Sequence, residues 1–395
     1  MSRDVAPVCV RTGNWELVTV LMLRPRKSYE RLKKYRPPLE GRGGKMRLDF
    51  NENTVGCAPA VVRALRRALT SDQLATYPEY EQARARLARF FRVKPEQLVL
   101  TNGTDDAIKV ICETFVEPGD VLLVPAPTFP VYQFFHEAAG GRTERIYYDE
   151  NFRVPLREVL KALNKGVRWA AFANPNNPTG TMVPKRDLRV MLEVAPETAF
   201  VVDEAYCEFS GETVLPWLRK YSNLIVTRTF SKAFGLAALR LGCILTNAET
   251  AETLRRGQNP FAANSLALLG ALAAIEHADF AHRYAAEVRA NRAKVCAWLE
   301  EQEIPYVPSK ANFILAQLGP GAPEIGKRLR GRNILVRDWN YDPRLRGFLR
   351  FTIGSTAQMR TLIRELTRLR GLIETRDGRS EWSKFAKFSG RGWVS

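Results

Sequence analysis

Histidine is scarce in this chain of 395 residues: His136, His277 and His282 are the full set. No cysteine pair stands near them to complete a ligand set, so they read as ordinary surface or core histidines and no metal site is expected. The six cysteines, Cys9, Cys57, Cys112, Cys207, Cys243 and Cys296, are widely separated and never form a C-x-x-C pair. That spacing excludes a disulfide framework and a zinc ribbon and points to reduced, isolated thiols. Long apolar runs are missing too: none reaches the roughly 18–20 residues that cross a bilayer. The apolar stretch at 17–23 is short, is interrupted by Thr19 and has no small-residue cleavage site after it. It is not read as a signal peptide, and a cytoplasmic protein without a membrane partner is expected.

Acidic residues are outnumbered. Lys and Arg total 60 against 42 Asp and Glu, for a net charge of +18. The excess is concentrated at 24–45 and 360–391, and the chain between carries neither paired Cys/His ligands nor an aromatic RNP run. A solvated basic surface accounts for this better than a nucleic-acid interface, so no nucleic-acid partner is expected. Such a field also draws in phosphorylated and carboxylate small molecules.

The length suits about two domains. Residues 1–28 read as an N-terminal extension, 29–72 as an arm with part of a small domain, 73–275 as a large domain, 276–374 as a C-terminal small domain and 375–395 as a flexible tail. Within the large unit, short apolar runs at 98–101, 121–125, 169–175, 199–204, 224–229 and 241–246 alternate with helical stretches. Buried runs separated by helices predict βαβ units and a mostly parallel sheet, with ligands bound at the carboxyl ends of its strands. A helix-rich stretch at 266–301 and two more strand-like runs at 312–318 and 348–354 predict a smaller α+β unit.

Four segments carry chemistry. TRTFSKAFGLAALRLG (227–242) sets Lys232 just after a strand, with Ser231 beside it and Arg240 eight residues on. A lysine that attacks an aldehyde must lose its proton, which burial near other cations favours, and a phosphate needs hydroxyl donors and a guanidinium fork. VVDEAYCEF (201–209) ends a buried run on Asp203 and places Tyr206 three residues later. An aspartate there can pair with a protonated ring nitrogen, and the phenol with a ring oxygen. ANPNNPTG (173–180) forces a tight loop with Asn–Pro bonds open to the cis form, and it aims Asn177 at the same oxygen. LTNGTDDAI (100–108) passes from a strand through Gly103 into a helix whose first turn holds Thr104 and Asp105. Free N–H groups at a helix start bind phosphate. Taken singly, these segments also read as a surface lysine, a turn-capping aspartate, a plain turn and a capped helix. Their order and spacing together are hard to obtain by chance.

With FNEN (50–53), TYPEY (76–80), PTFPVY (127–132), LVRDWN (335–340) and LRFTIG (349–354), these segments resemble the fold-type I enzymes that use pyridoxal 5′-phosphate. Among those the chain is similar to the class I/II aminotransferases and looks most like the histidinol-phosphate aminotransferase branch. The resemblance runs from about residue 35 to about residue 372. It implies an α/β large domain, its mostly parallel sheet flanked by helices, and a smaller α+β domain. It also implies that Lys232 carries the cofactor and shuttles a proton, with Asp203 on the ring nitrogen and Tyr206 and Asn177 on the ring oxygen. Gly103, Thr104, Asp105, Ser231 and Arg240 would surround the phosphate, and Phe129 would stack on the ring. Tyr77 would reach the cofactor phosphate of a second subunit, which makes a homodimer. Arg350 would clamp the substrate carboxylate or its equivalent, with Arg337, Asn177, Tyr35, Asn53 and Asn312 as further substrate residues. The implied reaction moves an amino group between an amino-phosphate or amino-acid donor and a 2-oxo acid such as 2-oxoglutarate. Rival expectations are an aromatic amino acid aminotransferase, a decarboxylase of a phosphorylated amino acid and a DNA-acting regulator. Four positions depart from the pattern: Ala238 where glycine is usual, Thr104 where alanine or serine is, Thr54 where proline is, and Phe129 where tyrosine is common.

Overall fold

Apolar residues at consecutive positions favour strands covered on both faces, and that is where these runs lie. The computed structural model describes residues 9–11, 17–19, 23–30, 32 and 38–373, so Tyr35 and the tail expected over 375–395 fall outside the described residues. Seven strands form one sheet in the spatial order Leu98–Thr101, Gly242–Leu245, Leu224–Thr229, Ala199–Asp203, Trp169–Ala173, Val121–Ala126, Arg142–Tyr147. The last was not legible as a buried run. Its sequence, RTERIY, is charged and only partly covered, because it is an edge strand paired on one side alone.

All neighbours run parallel except Gly242–Leu245, which is antiparallel to both of its partners. The reason lies in the connection before it. Between Thr229 and Gly242 the chain makes only the short turn Ala237–Leu239, and a parallel return would need a crossover, usually a helix. Lys232 and Arg240 therefore share one tight loop at the carboxyl end of the Leu224–Thr229 strand.

A second, antiparallel sheet has the order Tyr306–Val307, Phe313–Gln317, Phe348–Thr352, Arg337–Asp338. The helix-rich stretch resolves into Ser265–Glu276 and Ala278–Glu301. Met46–Arg47 pairs in parallel with Ile334–Leu335, which fastens the 29–72 stretch to this second unit. Among the described residues no helix is long and apolar enough to cross a membrane.

A buried ionic cluster braces the strands that end at the site. Glu204 Oε2 lies 2.7 Å from Arg228 Nη2 and accepts from Thr213 Oγ1, while Oε1 accepts from the Val214 N–H. Glu208 approaches Arg228 from the other side at 3.4 Å. Glu204 and Arg228 follow Asp203 and precede Lys232, so the pair fixes the spacing of those two residues. Removing one partner of a buried pair strands the other charge. Glu204→Gln should therefore cost about 3 kcal/mol of stability, read as a lower midpoint in urea denaturation.

Candidate active site

The carboxyl ends of the parallel strands, the second sheet and the 50–52 stretch enclose a cavity of about 900 Å³. That lies within the range that small-molecule sites occupy. Its wall includes Thr104, Asp105, Phe129, Asn177, Asp203, Tyr206, Ser231, Lys232, Arg240, Arg337 and Arg350. The four chemical segments, distant in sequence, thus meet in one place.

Lys232 is the centre of this arrangement. Its Nζ donates to the Phe50 carbonyl at 2.8 Å and lies 5.7 Å from the Tyr206 ring. Burial, followed by the Arg350 charge, pushes its pKa down to about 8. The neutral amine that attack on an aldehyde requires is therefore far more available near physiological pH than in an ordinary lysine, though the cation still predominates below pH 8.

Asp203 ends its strand buried, with Oδ2 accepting from Tyr132 at 2.6 Å and Oδ1 accepting from the Ala205 N–H at 3.1 Å. Burial raises its pKa, against which these donors act. The Tyr206 phenol accepts from Asn51 Nδ2 at 2.9 Å, and burial pushes it up to about 12, so it stays a protonated donor. Asn177 sits in the proline-rich loop, where both Asn–Pro bonds are cis, and its Oδ1 accepts from Arg350 Nη1.

The phosphate end is marked by close approach. Gly103 opens the helix Gly103–Phe115 at φ +78°, and a Cβ there would lie 2.6 Å from Arg240 Nη2. Any side chain would push into the guanidinium. Arg240 also reaches Asp105 Oδ2 at 3.3 Å. A helix start, a guanidinium and the Ser231 and Thr104 hydroxyls form a donor set suited to a phosphate monoester. The readily deprotonated lysine and the buried Asp203 suit the rest of a pyridine aldehyde. On these observations the residues present fit pyridoxal 5′-phosphate. Ala238 lies in the turn before Arg240.

At the substrate end, Arg350 is 4 % exposed, donates to the Asp49 carbonyl at 2.6 Å and faces the Phe313 and Trp339 rings. Arg337 is its direct cross-strand partner. Asn53 and Asn312, expected to touch substrate, do not line the cavity. Asn53 donates to the Ala233 carbonyl at 2.9 Å and Asn312 to the Asn51 carbonyl at 3.1 Å, so they brace the 50–53 stretch from behind. Thr54 donates its backbone N–H to the Tyr284 hydroxyl at 3.2 Å, a bond the usual proline could not make. Tyr77 lies away from its own chain's cavity, 72 % exposed and stacked on Phe261 with ring centroids 4.4 Å apart.

Sequence reasoning missed Tyr132, Asn51 and the pair Arg42–Glu52. Arg42 bridges Asp49 and Glu52 and lies 4.1 Å above the Phe50 ring on the cavity wall. No spacing rule announces that contact. Asn51 and Tyr132 stood inside the quoted segments FNEN and PTFPVY, where a search for bonding partners of Tyr206 and Asp203 could have found them.

Comparison with known proteins agrees with this geometry. The family described as Aminotransferase class I and II matches residues 43–366. Histidinol-phosphate aminotransferase of Symbiobacterium thermophilum is 35% identical over 327 residues, 81% of this chain and 89% of that one. The crystal structure of histidinol-phosphate aminotransferase from Sinorhizobium meliloti, in complex with pyridoxal 5′-phosphate, superposes with a TM-score of 0.81 at 25% identity, over 90% of this chain and 99% of that one. L-threonine-O-3-phosphate decarboxylase from Porphyromonas gingivalis shares the fold at a TM-score of 0.71 and 24% identity, over 82% of this chain and 98% of that one. The family match spans most of the length and a relative aligned over four-fifths of the chain is more than a third identical, so the chain belongs to the class I and II aminotransferases, whose cofactor is pyridoxal 5′-phosphate.

Proposed function

We propose that this aminotransferase takes its amino group from histidinol phosphate and passes it to a 2-oxo acid such as 2-oxoglutarate, as a cytoplasmic homodimer. The observation that carries the donor class is the arginine pair. Arg337 and Arg350 face one another across adjacent strands and both line the cavity. Like charges directly opposite each other destabilise a sheet. An anion between them offsets that repulsion, and a phosphate monoester with up to two negative charges offsets it best. The named relatives point the same way.

When bound, the cofactor supplies an electron sink that makes the donor's Cα–H bond acidic. The chain's own residues do the rest. Arg240, the Ser231 and Thr104 hydroxyls and the backbone N–H groups of Thr104 and Asp105 at the helix start hold the phosphate, and Asp203 supplies a negative charge for the ring nitrogen. Tyr206 and Asn177 hold the ring oxygen, and Phe129 covers a ring face. Lys232 Nζ takes the proton from the donor's α-carbon and returns it on the cofactor side. Arg350 and Arg337 fix the anionic end, which is the phosphate of one substrate and a carboxylate of the other. The large unit at 73–275 thus holds the cofactor, and the small unit at 276–374, with the arm at 29–72, reads the substrate. Tyr77, exposed and stacked on Phe261, completes the site of the second subunit.

The test is spectroscopic. The lysine-bound cofactor absorbs at roughly 410–430 nm, and a productive donor bleaches that band. Histidinol phosphate, phenylalanine and glutamate are added separately. Bleaching by histidinol phosphate and glutamate, without release of carbon dioxide, supports the reading. Bleaching by phenylalanine but not histidinol phosphate overturns it, and so does carbon dioxide release. In Arg337→Ala the KM for histidinol phosphate should rise about ten-fold, as expected for a lost charged hydrogen bond. The KM for phenylalanine should change less than about two-fold.

A further inference from the structure

Tyr132 stands in none of the roles above, yet it makes the shortest contact to Asp203. It lies in the first turn of the helix Val131–Ala138 and is wholly buried. Its hydroxyl donates to Asp203 Oδ2 at 2.6 Å, and its ring meets Phe129 edge-on with centroids 5.8 Å apart. One side chain therefore touches both the residue assigned to the ring nitrogen and the residue assigned to the ring face.

The helix that presents Tyr132 is anchored one turn further on. The His136 Nε2–H is shared between the Asp120 and Arg142 carbonyls at 3.0 Å each, while Nδ1 accepts from Trp169 Nε1 at 2.9 Å. All three contacts require a neutral ring with one fixed tautomer, and burial lowers the pKa of this histidine accordingly. The Trp169 strand and the starts of the Val121–Ala126 and Arg142–Tyr147 strands thus hold the helix that presents the Tyr132 hydroxyl.

The chemistry of Asp203 makes that hydroxyl matter. A carboxyl taken out of water drifts toward its neutral form, and a donor aimed at the carboxylate opposes the drift. A neutral carboxyl would offer a ring nitrogen no counter-charge. Tyr132 stays a donor at every working pH, because burial and then the Asp203 charge hold its pKa well above the usual phenol value.

We propose that Tyr132 is a positioning residue for the cofactor: its hydroxyl holds the Asp203 carboxylate as a fixed counter-charge for the ring nitrogen while its ring backs Phe129. The inference rests on Asp203 serving the ring nitrogen and is independent of which amino donor is used.

The experiment compares Tyr132→Phe with the parent enzyme. Each is stripped of cofactor and titrated with pyridoxal 5′-phosphate or with its deaza analogue, in which carbon replaces the ring nitrogen. The parent should prefer the natural cofactor. In Tyr132→Phe, affinity for pyridoxal 5′-phosphate should fall about ten-fold, the effect of losing a hydrogen bond to a charged group. Affinity for the deaza analogue should change less than about two-fold, since that ring has no nitrogen to serve. In an Asp203→Asn background the added Tyr132→Phe change should have no cofactor-dependent effect. Equal losses for both cofactors, or none, overturn the proposal and leave Tyr132 a packing residue. If the parent itself fails to distinguish the two cofactors, the assignment of Asp203 to the ring nitrogen fails, and Tyr132 with it.

Discussion

Lys232→Ala should abolish the visible band of the bound cofactor and lower turnover by about 10⁴-fold or more, the upper range for losing a positioned proton-transfer group. Two functions are lost at once. The alanine cannot bond the cofactor aldehyde, and it cannot carry a proton from the donor's α-carbon. The vacated position faces the Phe50 carbonyl and the Tyr206 ring, neither of which is a base at working pH. Added methylamine can restore the amine but not its tether, so it should recover only a small part of the rate. The pH dependence is equally specific. Burial and Arg350 set the Lys232 pKa at about 8. Below that pH the amine of the cofactor-free enzyme is cationic and unreactive; above it the amine is neutral. The rate of cofactor capture should rise about ten-fold per pH unit up to near pH 8 and then level, as follows from the neutral amine being the nucleophile. A rate that climbs on through pH 10 would mean that the lysine is not enclosed as described.

Arg350→Ala should be the most damaging change at the substrate end. The guanidinium is buried, is tied to the Asp49 carbonyl and Asn177 Oδ1, and faces two aromatic rings. Those contacts fix its orientation before any substrate arrives, so little ordering cost remains when an anion binds. Truncating a buried, hydrogen-bonded partner of a charge costs about 2–5 kcal/mol, which corresponds to roughly 30- to 5000-fold in kcat/KM. The loss should fall on histidinol phosphate and glutamate alike, because the reaction needs one anion site for both halves. Arg350→Lys should recover little, since an ammonium cannot reproduce the planar fork. A second readout separates this role from collapse of the site. Arg350 is one of the charges that lower the Lys232 pKa, so the pH curve for cofactor capture should move upward in Arg350→Ala, while cofactor affinity changes little. An unchanged curve would place the arginine too far from the lysine to act in the same cavity.

Much of this site is legible before any coordinates, and the reason is topological. A parallel sheet delivers the ends of its strands to one edge, so residues that follow successive buried runs are neighbours in space. Asp203 ends such a run, Asn177, Lys232 and Gly103 each stand just past one, and all four meet at or beside the cavity. What sequence does not supply is contact between elements whose order in space is not their order in the chain. The bond from Tyr132 to Asp203 spans 71 residues, and the bridge from Arg350 to Asn177 spans 173. The edge strand Arg142–Tyr147 escaped notice because its covering is one-sided. Asn53 and Asn312 donate to the Ala233 and Asn51 carbonyls, contacts that no spacing in the sequence announces. A short amide beside an active lysine reads equally well as substrate ligand or backbone brace until its partner carbonyl is known.

The loop between Thr229 and Gly242 has a consequence for how such an enzyme changes over evolutionary time. Lys232 and Arg240, both on the cavity wall, are carried on a single connection pinned at both ends by the same sheet. An insertion there would shift both residues together, so its length is under constraint. Arg337 and Arg350 belong to another sheet. The short strand Arg337–Asp338 and its flanking turns can lengthen, shorten or change side chains without touching Lys232 or Asn177, whereas Arg350 is tied to both. If Arg337 reads the donor, that part of donor preference can change in a lineage while the machinery around Lys232 is inherited intact, and a change at Arg350 cannot.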